Sequence, residues 1–212
     1  IGFIKALEPG DTAALIAFND APRIIREDTD DKKKLEQAVE SIEARGGTAM
    51  YDAIAAGVDV LKVHEGHKAI ILLSDGRDES SDGIGPGSIA TYEEVLDKVL
   101  EAETVLYAVG TGAHLEKEFD YYHRHRVGEI LGTLAGRSGG RAYLIKKASK
   151  LKRAYAKIAD ELRHQYTLAY YPPRPARPAG KHDRRGRDWH PIEVRVSRPR
   201  SRVTARAGYF AR

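Results

Sequence analysis

The chain has 212 residues, 42% of them hydrophobic and 31% charged, which suits one ordinary globular domain with an appendage. It contains no cysteine, which excludes disulfides, thiol catalysis and cysteine-ligated zinc, and no run of residues nears the roughly 20 apolar positions of a membrane helix. The net charge of +4 conceals a segregation: residues 172–212 carry 12 Lys and Arg against 3 Asp and Glu (net +9), leaving 23 against 28 (net −5) on residues 1–171.

In chain order, residues 1–7 read as the last turns of a helix, stopped by Glu8-Pro9-Gly10. Residues 12–18 form a short apolar strand, Asn19 to Pro22 a turn, and residues 23–26 a second strand antiparallel to the first. Asp30 or Asp31 caps a helix in which Leu35, Ala38, Val39 and Ile42 recur at helical spacing, ending near Arg45-Gly46-Gly47. Thr48 is placed to cap the next helix, whose apolar face is Ile54, Val58 and Leu61. Residues 69–73 are a continuous apolar run with the length of a buried strand.

That strand stops at Ser74-Asp75-Gly76, and in open α/β sheets ligands bind at the carboxyl ends of strands. A loop rich in glycine follows, from Asp82 to Gly87. Thr91 and Glu94 then form a capping box for a helix that buries Val95, Leu96, Val99 and Leu100. Residues 104–109 are a further buried strand. A polar helix through Tyr121, Tyr122, His123 and His125 is expected to lead into the amphipathic Val127, Ile130, Leu131 and Leu134. Residues 142–145 read as an edge strand, and Ser149 as the cap of a last helix bearing Leu151, Ala154, Tyr155, Ile158 and Leu162.

Alternating strands and helices of this kind signal a doubly wound, mostly parallel α/β sheet with helices on both faces. The pattern changes after residue 164. Residues 166–171 read as a strand, residues 172–188 as a Pro- and Arg-rich linker, and residues 192–196 and 203–207 alternate with period 2. The expected organisation is therefore an α/β domain over 1–164 and, over 165–212, a linker with a small antiparallel β extension.

Two stretches carry a family resemblance. Gly46-Gly47-Thr48-Ala49-Met50-Tyr51-Asp52-Ala53-Ile54 resembles the second metal-site loop of von Willebrand factor type A domains, and Leu72-Leu73-Ser74-Asp75-Gly76-Arg77-Asp78 resembles their third. The likeness spans roughly residues 1–164, and the tail is similar to the carboxyl-terminal segment of bacterial, exported proteins of that kind. The resemblance implies a metal-ion-dependent adhesion site, with Thr48 and Asp75 as the matching ligands of Mg2+ (or Mn2+ or Ca2+). It also implies a protein partner presenting Asp or Glu, contacted by Gly47, Gly76, Arg77 and Asp78.

The family's first motif, Asp-x-Ser-x-Ser on a central first strand, is not in this chain. The chain is accordingly expected to be a piece of a longer protein. Loss of that strand would leave two neighbouring strand edges unpaired, so that the two strands close up, the edges are wetted or another chain donates a strand, and metal binding would be weak, since one hydroxyl and one carboxylate are few for a divalent site.

Rival chemistries find less in the sequence. No Gly-x-Ser-x-Gly elbow follows a strand, since Gly136-Arg137-Ser138-Gly139-Gly140 closes a helix, and there is no phosphate loop, so no catalysis is expected. A histidine metal centre among His64, His67, His114, His123 and His125 is disfavoured by their spacing. The alternative function is nucleic-acid or polyanion binding through the basic tail, with Tyr170, Tyr171, Trp189 and Tyr209 available for stacking. Arginines that alternate with apolar residues are better read as the solvated face of a small sheet.

Overall fold

The structure, a computed structural model, describes residues 1–112, 115, 119–120, 125–171, 188–201 and 203–210. Its centre is a three-stranded parallel sheet in which β4 (Val105–Thr111) lies between β3 (Ala69–Ser74) and β7 (Ala142–Ile145). β3 runs in register with β4 from Ala69 opposite Val105 to Ser74 opposite Gly110. Side chains alternate along β4. Leu106 and Ala108 enter the larger core, with α2 (Met50–Leu61), α3 (Tyr92–Glu101) and α4 (Val127–Ser138), whereas Tyr107 and Val109 pack with Ile158 of α5 (Leu151–Arg163) on the other face. Helices thus cover both faces, as the alternating pattern predicts.

β1 (Ala13–Phe18) and β2 (Pro22–Thr29) form a separate antiparallel pair, bulged near Leu15. Among the described residues no ladder joins β1 to β3, so β3 has a hydrogen-bonded neighbour on one edge only. Leu73, near the carboxyl end of β3, is 47% exposed. Both strands nevertheless lean on α2, where a Cβ at Gly57 would sit 3.2 Å from Ile70 Cδ1 and 4.0 Å from Ile16 Cδ1.

Several local expectations are corrected. Residues 1–7 hold only a short 3-10 turn at Ile4–Ala6. Helix α1 (Lys32–Glu40) has Asp31 as its cap, accepting from the Lys33 and Lys34 amides, but it ends before Ile42, which is exposed. Ser149 is not a cap, because the 3-10 turn Ala148–Lys150 runs straight into α5. The expected polar helix falls partly at residues 121–124, outside the described residues. On either side, β5 (Phe119–Asp120) pairs with β6 (His125–Arg126), so that helix does not reach His125.

In the tail the alternation misplaced the strands. Residues 166–171, 192–196 and 203–207 are not strands, and the ladder is β8 (Trp189–Pro191) with β9 (Gly208–Phe210). Alternation says which side chains share a face and is silent on which segment supplies the partner. The pairing forms where rings can be buried: Trp189 and Phe210 meet edge to face at 5.0 Å and pack against the main core, with the Arg137 guanidinium 4.9 Å from the Trp189 ring. The linker at residues 172–187 lies outside the described residues.

Candidate functional site

The candidate site lies at the carboxyl end of β3, where the sequence places Asp75, and is built on the segment from Gly47 to Asp52. Six consecutive amides of this segment each donate to a different part of the chain than their own helix. Gly47 N–H donates to Asp20 Oδ1 at 2.7 Å and Thr48 N–H to the Glu79 carbonyl at 2.7 Å. Ala49 N–H reaches the Asn19 carbonyl at 2.6 Å. Met50 and Tyr51 N–H both reach Asp78 Oδ1, at 2.9 and 3.3 Å, and Asp52 N–H reaches Ser88 Oγ at 3.1 Å. The segment is a seam joining the β1–β2 turn to the long loop after β3.

The seam explains how α2 starts. The first turn of a helix has amide groups with no intrahelical acceptor. Thr48 does not supply one: the N-cap is Ala49, with no side-chain bond, and Thr48 is extended in an antiparallel bridge with Glu79. Asp78 supplies it instead, in a charge-assisted form that also suits the positive end of the helix dipole.

The Asp78 carboxylate is the hub of the site. Its second oxygen accepts from Gly87 N–H at 3.1 Å and Ser88 N–H at 2.9 Å, and Ser88 Oγ donates to its first oxygen at 2.5 Å. With its residue 1% exposed and five donors upon it, Asp78 departs from the expectation of a partner-facing residue. The carboxylate is buried because it is fully bonded. Gly76 is likewise buried, with φ +86°, and a Cβ there would collide with Val127 Cγ1 of α4. Its side is closed by packing, not turned to a partner. Gly47 is half-buried, and a Cβ on it would lie 2.6 Å from the Glu79 carbonyl oxygen.

Thr48 is half-buried and Asp75 and Arg77 are exposed. The structure brings Thr48 and Asp75 to one loop system, since the Thr48 backbone pairs with Glu79, in the same loop that Asp75 opens. Asp75 Oδ1 accepts weakly from Arg77 N–H at 3.4 Å, and the Arg77 guanidinium lies 3.3 Å from Glu79 Oε2. Further out, the Asp82 carboxyl is held below the usual carboxylate range, first by the Ser80 hydroxyl and then by the Ile84 amide.

Sequence reasoning missed Asp20, Asp52 and Ser88. Asp52, in the first turn of α2, accepts from Ile89 N–H and Ala90 N–H, each at 2.9 Å. The only signal for Asp52 was its place in the first turn of an expected helix, which reads as dipole complementarity.

Hard oxygen donors such as Thr48 and Asp75 suit a magnesium-type ion in kind. In number they do not. Among the described residues no group of three or more His, Cys, Asp and Glu stands close enough to hold a metal.

Residues 2–77, from the amino-terminal turn through β1, β2, the seam and β3 to Arg77, match the family of the von Willebrand factor type A domain. They belong to a von Willebrand factor type A domain. Solved structures agree on the fold of the type A domain. The von Willebrand factor type A protein of Catenulispora acidiphila superposes with a TM-score of 0.59 at 20% identity, over 76% of this chain and 36% of that one. The chain thus spans about a third of that protein's length. The conserved hypothetical protein BatB of Bacteroides thetaiotaomicron gives 0.57 at 17% identity, over 77% and 84%. The pilus adhesin SpaC of Lactobacillus rhamnosus GG, in its open conformation, gives 0.57 at 13%, over 76% and 26%. A search among curated proteins finds no significant sequence match.

Two arginines of the basic tail have partners within the chain. Arg206 donates to the carbonyls of Leu100 and Gly208 and pairs with Glu103, and Arg195 pairs with Glu193 at 2.8 Å. No helix among the described residues is long and apolar enough to cross a membrane.

Proposed function

We propose that this type A domain recognises a protein partner through the surface made by residues 46–49 and 75–90, with no catalysis of its own. A type A domain is in general an interaction module, and one of its structural neighbours is a pilus adhesin. The observation that carries the reading is the seam, which holds half-buried Thr48 beside the loop that displays Asp75. Irregular backbone held this firmly at a sheet's carboxyl end is the usual setting of a binding surface.

The finer reading is that an Asp or Glu of the partner binds here through a magnesium-type cation. The Thr48 hydroxyl and the Asp75 carboxylate would hold the ion, and exposed Arg77 would meet the partner's acidic side chain at the rim. A bound ion of low ligand charge supplies an electrophilic centre for an incoming carboxylate. With two side-chain donors it is held weakly.

Calorimetric titration of the chain with magnesium chloride is expected to show millimolar affinity or weaker. Micromolar affinity that disappears in Asp75→Ala overturns the partial site. Selection from a displayed peptide library in magnesium is expected to enrich peptides with a central Asp or Glu that EDTA releases. Enrichment that EDTA and Asp75→Ala both leave unchanged overturns the metal-dependent reading.

A further inference from the structure

We infer that Asp78 is the positioning residue of this surface, setting where Thr48 stands relative to Asp75 without touching either side chain; the inference rests on the recognition reading above. One carboxylate holds three separated pieces of backbone: its own loop just past Asp75, the amides of Met50 and Tyr51 just past Thr48, and the returning loop at Gly87 and Ser88. The returning loop in turn packs on Thr48, where a Cβ on Gly87 would sit 2.7 Å from the Thr48 carbonyl carbon. Thr48 is thereby enclosed. Glu79 pairs with its backbone on one side, Gly87 lies against its carbonyl, and the helix that follows it hangs from Asp78.

The arrangement makes a prediction that a plain helix cap does not. A cap stabilises only the amides bonded to it, whereas a positioning residue also orders amides bonded elsewhere. Gly47, Thr48 and Ala49 donate to Asp20, Glu79 and Asn19, none of them through Asp78. If Asp78 sets the position of the whole seam, these three must loosen when it is weakened.

The experiment is amide hydrogen exchange, residue by residue, on the full chain and on Asp78→Asn, which keeps the shape and one acceptor oxygen. Exchange at Gly47, Thr48 and Ala49 is expected to accelerate at least tenfold, with Leu106 and Ala108 of β4 unchanged. Acceleration confined to Met50, Tyr51, Gly87 and Ser88 overturns the inference and leaves Asp78 a cap. Should Asp78→Asn not fold, Ser88→Ala is judged by the same three amides, because it removes one donor to the same carboxylate and, of the seam's own acceptors, only that of Asp52 N–H. A manganese titration of the unaltered chain that leaves the Thr48 resonance sharp overturns the metal reading alone, since the exchange result needs no metal.

Discussion

Helices α2 and α3 are neighbours whose rings meet, Tyr51 against Tyr92 at 6.2 Å, yet they begin in opposite ways. α3 is capped from within four residues: Thr91 Oγ1 accepts from Glu94 N–H, and the Glu94 carboxylate accepts from Thr91 N–H. α2 is capped from 28 residues away by Asp78. A local cap makes a helix end that stands by itself. A remote cap makes a helix end that reports on the loop providing it. The domain uses the second kind on the side where the candidate site lies, and there Asp52 of α2 also receives the two amides that lead into Thr91.

The contrast can be broken most severely at Asp78. Replacing it with alanine leaves buried donors unsatisfied, and a loss of roughly 3–5 kcal/mol is expected from penalties of about 1–3 kcal/mol per buried group, read by denaturant unfolding. Gly76→Ala comes next, at about 2–3 kcal/mol, combining a left-handed backbone with overpacking against Val127. Its signature is a lowered midpoint with the far-UV spectrum of the folded state retained.

Thr91→Ala removes the local cap and is expected to cost about 1 kcal/mol. It should leave the exchange rates of Gly47 to Ala49 unaltered, which separates the two kinds of helix start. The smallest effect is expected at the pair joining the two helices, Lys98 Nζ to Asp59 Oδ2 at 2.5 Å, whose acid is half-exposed. Lys98→Met is expected to cost about 0.2–1 kcal/mol.

That pair also carries a pH signature. Burial works against the charge of Asp59, but hydrogen bonds from Lys62 and Lys98 outweigh it and hold the carboxyl below its ordinary value of 3.8. A lowered carboxyl contributes stability that is present above 3.8 and is lost as the pH falls through its folded-state value. Lys98→Met is expected to shrink that acid-side decline, and a pH series of thermal midpoints on both proteins checks it.

The same contrast explains what could be read in the sequence. The start of α3 was legible because donor and acceptor lie within one turn, and the cap of α1 was narrowed to Asp30 or Asp31, of which the structure uses Asp31. Strands β3 and β4 announced themselves as unbroken apolar runs, the mark of strands covered on both faces. Thr48 looked like a cap because it is the right residue type at the right offset, but its backbone is taken by Glu79. Asp78 looked like a surface acid because nothing in its neighbourhood of sequence names Met50 or Ser88 as its partners. In the tail, period-2 alternation was real, yet the ladder formed only where Trp189 and Phe210 could be buried. The family's two loops were recognisable as motifs, whereas the bonds that join them, from the Met50 and Tyr51 amides to Asp78, span 28 and 27 positions.

Those separations bear on when the surface comes into being as the chain folds. Closing a loop of some thirty residues must be offset before its contacts repay it, so elements built on such closures form late. The seam needs the β1–β2 turn, the loop after β3 and its return at Ser88 all in place before every one of its amides has an acceptor. A half-folded chain would carry α3, with its self-contained cap, and no ordered Thr48. Readiness to bind is then a property of the finished fold alone, and a partner that engages this surface selects against immature copies without a separate inspection step.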